Sequence, residues 1–64
     1  MDPTIRKNIY SGQHVEIIQK QHQKTKELSQ GIVKEILTNA AVHPRGIKVR
    51  LESGLVGRVQ NIFD

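Results

Sequence analysis

Residues 46–59 constrain the fold more than any other part of the chain, because they have the pattern of a β-hairpin with two unlike faces. Apolar and charged side chains alternate along residues 47–52, as in a strand that buries one face. Ser53-Gly54 supplies the turn, and residues 56–59 begin a second strand that carries Arg58. The hairpin therefore predicts one buried apolar face and one basic face in solvent.

The remaining segments predict further short strands. Residues 13–20 alternate as a strand does, and residues 28–38 are rich in β-branched side chains. Gly31 predicts a bulge or bend in the second of these strands. A short helix is the alternative there, since some of its apolar residues also fall at helical spacing. Residues 60–64, which include Ile62 and Phe63, predict a short final strand.

Two polar loops and a tail complete the chain. Residues 21–27 contain no apolar side chain and predict a solvated loop, and residues 39–46 predict a second loop. Residues 1–11 read as an N-terminal tail with a few apolar residues that can dock, and residues 12–64 as the single domain that this length allows.

Four to five short strands with glycine at the corners predict an all-β protein, a small antiparallel β-barrel. Closing the sheet protects strand edges that a chain of this size could not otherwise cover. The apolar positions expected to form its core are Val15, Ile17, Val33, Ile36, Leu37, Ile47, Val49, Leu51, Val56, Val59 and Ile62.

The charge balance points to an anionic partner. Ten Lys and Arg residues against six Asp and Glu residues give a net charge of +4, which favours polyanion binding. Tyr10 and Phe63 are the aromatic residues, too few for a platform on which unpaired bases stack. We therefore expect phosphate contacts and shape to carry any binding of nucleic acid.

The runs Gly31–Asn39, His43–Leu51 and Gly54–Val59 closely resemble the YwbE family of small bacterial, archaeal and fungal proteins. The likeness covers nearly the whole chain, and the family name implies no function. At lower specificity, the strand pattern resembles the SH3-like barrels of the KOW type found in ribosomal and transcription-elongation proteins. Their usual basic start is replaced here by Leu28-Ser29-Gln30. This resemblance implies an SH3-like barrel.

Lys48, Arg50 and Arg58 are the first candidate site residues. Lys48 and Arg50 project from the same face of one strand, and Arg58 can lie across the hairpin from them. Together they can contact a phosphate backbone, with Lys34 as a contributor at the edge. The alternative is an ordinary solvated strand face on which Glu52 acts as a partial counterion.

The turn His43-Pro44-Arg45-Gly46 is the second candidate. Arg45 at the loop tip can bind a phosphate or a guanine edge, and the amides around Gly46 can form an anion-binding nest. The alternative is that Pro44 and Gly46 only make the turn and His43 packs over it.

The polar loop holds the third candidate, a group of cations that would add non-specific attraction to phosphates. The alternative, a solvated loop without function, is the commoner one. The residues of this group are Lys20, His22, Lys24 and Lys26.

Nothing in the sequence has the spacing of a reaction centre. The three histidines lie on separate segments, and no serine is flanked as a nucleophile would be. We therefore expect no enzyme activity, no metal, no cofactor and no small-molecule substrate. The lack of cysteine favours a cytoplasmic protein, and no apolar run is long enough to cross a membrane.

The function expected from these features is binding of nucleic acid, RNA rather than DNA, without strong sequence preference. A protein-interaction module that docks on a ribosome- or RNA-polymerase-type assembly is the alternative, for example by strand addition at an open barrel edge. A third possibility is self-association through the face of Ile18 or Ile32.

Overall fold

A computed structural model of the protein describes residues 2–20 and 25–63 and shows a closed antiparallel barrel. Strand β1 (His14–Ile18) pairs with β2 (Leu28–Ile36) and with β4 (Val56–Ile62). Strand β3 (Lys48–Leu51) pairs with the same two strands, so the sheet closes on itself. The prediction of a small all-β barrel is confirmed, with four strands, because residues 60–62 extend β4 instead of forming a fifth. A 3₁₀ helix at Arg6–Asn8 precedes the strands.

Two irregularities in pairing bend the strands around the barrel. Along β2, Val33 pairs with Leu51 and Glu35 pairs with Arg50, which leaves Lys34 as an extra residue. The bulge therefore lies at Lys34, three residues beyond Gly31, where the sequence predicted it. A second shift, between β1 and β4, makes Gln60 the extra residue of β4. An extra residue increases the local twist and bend of a strand, which closure of so small a sheet requires.

The core fills the inside of the barrel with alternate side chains of the strands. Seven of the eleven predicted core residues are buried, whereas Ile36, Leu37, Val56 and Ile62 are only partly covered. Ile9, from the predicted tail, is buried as well. The buried apolar residues are Ile9, Val15, Ile17, Val33, Ile47, Val49, Leu51 and Val59, with Ile36 and Ile62 packed against them.

The N-terminal segment lies along the loop that precedes β3. Ile5 forms an antiparallel bridge with Val42, and the amide of His43 donates to the carbonyl of Thr4 at 2.9 Å. The buried side chain of Ile9 anchors the segment to the barrel. Residues 3–9 therefore support the loop that carries one of the candidate cations.

Candidate nucleic-acid interface

A groove of about 720 Å³ opens where β1, β3 and β4 meet the loop before β3. A second hollow of about 370 Å³ adjoins it and shares Ile18, Arg45 and Arg58 with it. Ile18 ends β1 on the outward face of the sheet and forms part of an apolar floor with Pro44 and Val56. The two hollows make one continuous concave surface, called the basic groove below.

Five cationic side chains line the basic groove. Lys48 and Arg58 come from β3 and β4, Arg45 from the loop, and Lys20 and Lys26 from the two ends of the polar loop. No carboxylate is among the described residues that line either hollow. Five positive charges on one concave surface attract an anion more strongly than the same charges spread over the protein.

Lys48 and Arg58 are direct cross-strand partners in the β3–β4 pair. Like charges in directly opposite positions of a sheet repel each other. The guanidinium of Arg58 is held in place by a hydrogen bond from Nη1 to the carbonyl of Gly46, at 3.1 Å. The fold therefore keeps two cations together at the centre of the groove and fixes the direction of one of them.

The turn at residues 43–46 exposes Arg45, and two of its backbone amides form hydrogen bonds within the turn. The amide of Arg45 donates to Nδ1 of His43 at 3.2 Å, and the amide of Gly46 donates to the carbonyl of His43 at 3.0 Å. The nest interpretation of this turn is therefore wrong for these two amides, because neither is left for an anion. The Arg45 side chain, by contrast, is exposed.

Gly46 has a structural role at the edge of the groove. Its φ of +99° lies in the region that side chains rarely adopt, and a Cβ there would lie 2.2 Å from the carbonyl oxygen of Val59. This close approach of the loop to β4 brings Arg45 alongside Arg58.

Two of the predicted contacts, Arg50 and Lys34, do not line the groove. Arg50 forms an ion pair with Glu35 on the neighbouring strand, whereas the alternative interpretation of this face named Glu52 as a partial counterion. Lys34 is the extra residue of the β2 bulge, and its carbonyl accepts a hydrogen bond from Ser11. The groove thus gathers a different set of cations from the one that strand alternation indicates.

The loop candidates divide in the same way. Lys26 lines the smaller hollow and has a positive φ of 64°, while Lys20 and His43 line the larger one. Lys24 and His22 lie outside the described residues. The apolar floor at Ile18 was not predicted from the sequence, which named the face of this residue only as a possible surface for self-association. The signal was the run Val15 to Ile18, in which the last apolar residue breaks the alternation.

Neither a metal centre nor a membrane helix is found in the described part of the chain. Residues 2–20 and 25–63 contain no cluster of three histidine or carboxylate side chains that could hold an ion. They also contain no helix long and apolar enough to cross a membrane.

Residues 2–62 match the protein family described as "Uncharacterized conserved protein (DUF2196)". The chain is also 53% identical over 57 residues to the "Uncharacterized protein YwbE" of Bacillus subtilis (strain 168), a match that covers 89% of this chain and 88% of that protein. The chain belongs to the YwbE family. The resemblance noted in the sequence is thereby confirmed, and the family description adds no activity. No solved structure matches significantly.

Proposed function

We propose that this YwbE-family protein is a non-catalytic, cytoplasmic RNA-binding protein that holds phosphates in the basic groove. The observation that carries the proposal is the set of five cations on one concave surface whose described lining includes no carboxylate. RNA is favoured over DNA because proteins recognise RNA chiefly in single-stranded loops, bulges and ends, whose backbone can follow a basic groove.

The positions of the acidic residues support this assignment. Glu35 is paired with Arg50, the side chain of Glu16 accepts a hydrogen bond from Asn61, and Asp2 accepts from Thr4. None of these three acids lines the groove, so they do not neutralise the cations that do. Such a surface also speeds encounter with a polyanion.

The groove offers charge and shape but few groups that read base edges. Lysine and arginine side chains on phosphates fix position without selecting sequence. We therefore expect weak sequence preference and strong salt dependence. For a single strand, each neutralised phosphate contributes about −0.7 to the slope of log K against log salt, so five contacts give about −3.5.

Charge-matched double variants test the proposal. Arg45→Glu with Lys48→Glu reverses two cations of the groove, and Lys7→Glu with Lys34→Glu reverses two exposed cations elsewhere. Each pair lowers the net charge by four, from +4 to zero. Affinity for an RNA hairpin with a long loop is measured by fluorescence anisotropy at several salt concentrations.

The groove variant should lose affinity by about tenfold or more. Its slope of log K against log salt should become shallower by about 1.4, the contribution of two phosphate contacts. The second variant should keep most of the affinity and the slope. Equal losses in the two variants would show a general charge effect and contradict the groove. Absence of binding by the native protein would reject RNA and favour a protein partner. The closed barrel offers such a partner no open edge between β1 and β4 for strand addition.

A further inference from the structure

Two aromatic rings lie together on the outer surface of the barrel. The ring centroids of His14 and Phe63 are 4.9 Å apart and their planes are tilted by 51°. The backbone places them: His14 begins β1, Phe63 follows the last residue of β4, and the amide of Phe63 donates to the carbonyl of His14 at 2.9 Å. Phe63 is 48% exposed, so a large part of its ring is open to solvent.

The ring pair and the basic groove lie at opposite ends of strand β1. His14 and Ile18 are the two ends of β1 and both belong to its outward positions. Four residues of strand span about 13 Å. Because Ile18 forms part of the floor of the groove, the ring pair and the cations are two contact sites on the outward face of the sheet.

A nucleic acid strand can reach from the ring pair to the basic groove at this distance. Stacked nucleotides advance by about 3.4 Å each along a strand, so about four of them cover the gap, and fewer do so when the strand is extended. Glu16 lies between the ring pair and the groove, and its carboxylate accepts a hydrogen bond from Nδ2 of Asn61 at 2.8 Å. The hydrogen bond holds this carboxylate against β4 and leaves its negative charge in place, so the phosphates of the strand have to pass it at a distance.

We infer that the His14–Phe63 ring pair stacks an unpaired base of the strand whose phosphates lie in the basic groove. The preferred ligand is then single-stranded or looped RNA, because bases inside a duplex stack on one another and present no face to a side chain. This inference rests on the proposed function and names the substrate class for the same surface. It also replaces the expectation that the chain lacks a stacking platform, which counted Tyr10 and Phe63 but not the ring of His14.

Substitutions at Phe63 test the inference. Phe63→Leu keeps an apolar side chain and removes the ring, while Phe63→Tyr keeps a ring and serves as the matched control. Affinity is measured for an unstructured RNA of about eight nucleotides, within the range that single small barrels bind, and for a blunt RNA duplex. Phe63→Trp adds a reporter, because the chain contains no tryptophan, and its emission is followed with the same RNA and with inorganic polyphosphate.

Phe63→Leu should weaken binding of the single strand by about tenfold, since one base–aromatic stack is worth about 1–3 kcal/mol, and should leave binding of the duplex unchanged. Phe63→Tyr should bind as the native protein does. The tryptophan emission should be quenched by the RNA and not by polyphosphate.

Unchanged affinity of Phe63→Leu, an equal loss on strand and duplex, or emission that responds alike to RNA and polyphosphate would overturn the stacking role. In those cases the groove would still bind RNA. Failure of the native protein to bind either RNA would instead reject the proposed function, and the stacking role with it.

Discussion

Lys48 and Arg58 occupy directly opposite positions on β3 and β4, and no carboxylate among the described groove residues lies between or beside them. In an antiparallel pair such side chains have Cβ atoms about 4.5–5.5 Å apart, where like charges destabilise the sheet. A partner that brings negative charge would relieve this repulsion. The pair therefore predicts that stability and RNA binding oppose each other at these positions.

Replacing Lys48 by threonine should stabilise the folded protein while it weakens RNA binding. Removing the repulsion with Arg58 is worth about 0.2–1 kcal/mol, and threonine suits an exposed strand position. Urea denaturation measures the change in the free energy of unfolding. Lys34→Thr is the control, because Lys34 has no cross-strand partner at the β2 bulge. Equal effects of the two substitutions would contradict the account.

Gly46→Ala should unfold or severely destabilise the protein. The new Cβ would lie 2.2 Å from a backbone oxygen of β4, and the residue would also have to keep a φ of +99°. Gly54→Ala is the matched control: its φ is +96°, but its Cβ would meet nothing within 4 Å. The control should lose about 1–2 kcal/mol, the cost of a left-handed conformation. Similar midpoints in urea for both variants would disprove the close approach of the loop to β4.

Ile9→Ala should destabilise the barrel by about 2–5 kcal/mol, as removal of a buried isoleucine does elsewhere. Ile9 lies in the segment that the sequence assigns to a tail, yet its side chain is buried in the core. Ile5→Ala, at a partly covered position, should cost less. The thermal midpoints of the two variants measure the difference. A negligible effect of Ile9→Ala would show that the N-terminal segment does not pack on the folded domain.

Acid should loosen the first residues of the N-terminal segment. Hydrogen bonds from the hydroxyl and then the amide of Thr4 lower the pKa of the Asp2 carboxyl below its usual 3.8. Because the folded-state pKa lies below the unfolded one, the interaction stabilises the segment above pH 3.8 and is lost as the pH falls through the folded value. The amide resonance of Thr4 should move in that acid range in the native protein and stay constant in Asp2→Asn. A Thr4 resonance that moves equally in both would show that another group titrates.

Alternation along residues 47–52 was sufficient to predict β3, its buried face and the exposure of Lys48 and Arg50. It could not show that Arg50 pairs with Glu35, because that contact depends on the register between β2 and β3. The bulge that sets this register falls at Lys34, a residue that carries no local signal for it.

The candidate site was predictable where charge and turn chemistry are local. Arg45, Lys48 and Arg58 were each expected to contact phosphate, and all three line the groove. The floor at Ile18 and the ring pair of His14 and Phe63 depend on pairing between β1 and β4, the first and last strands of the chain. Contacts between residues so far apart in sequence follow from closure of the barrel. The break in alternation at Ile18 marks an extra apolar residue but does not show which strand lies beside it.

A backbone amide NMR titration with a looped RNA, at a low and a high salt concentration, tests the basic groove most directly. The account predicts shifts concentrated at Lys20, Lys26, Arg45, Lys48 and Arg58, which shrink as salt rises. Shifts centred on Arg6 and Val42 on the N-terminal side of the barrel, or no shifts at either salt concentration, would contradict it.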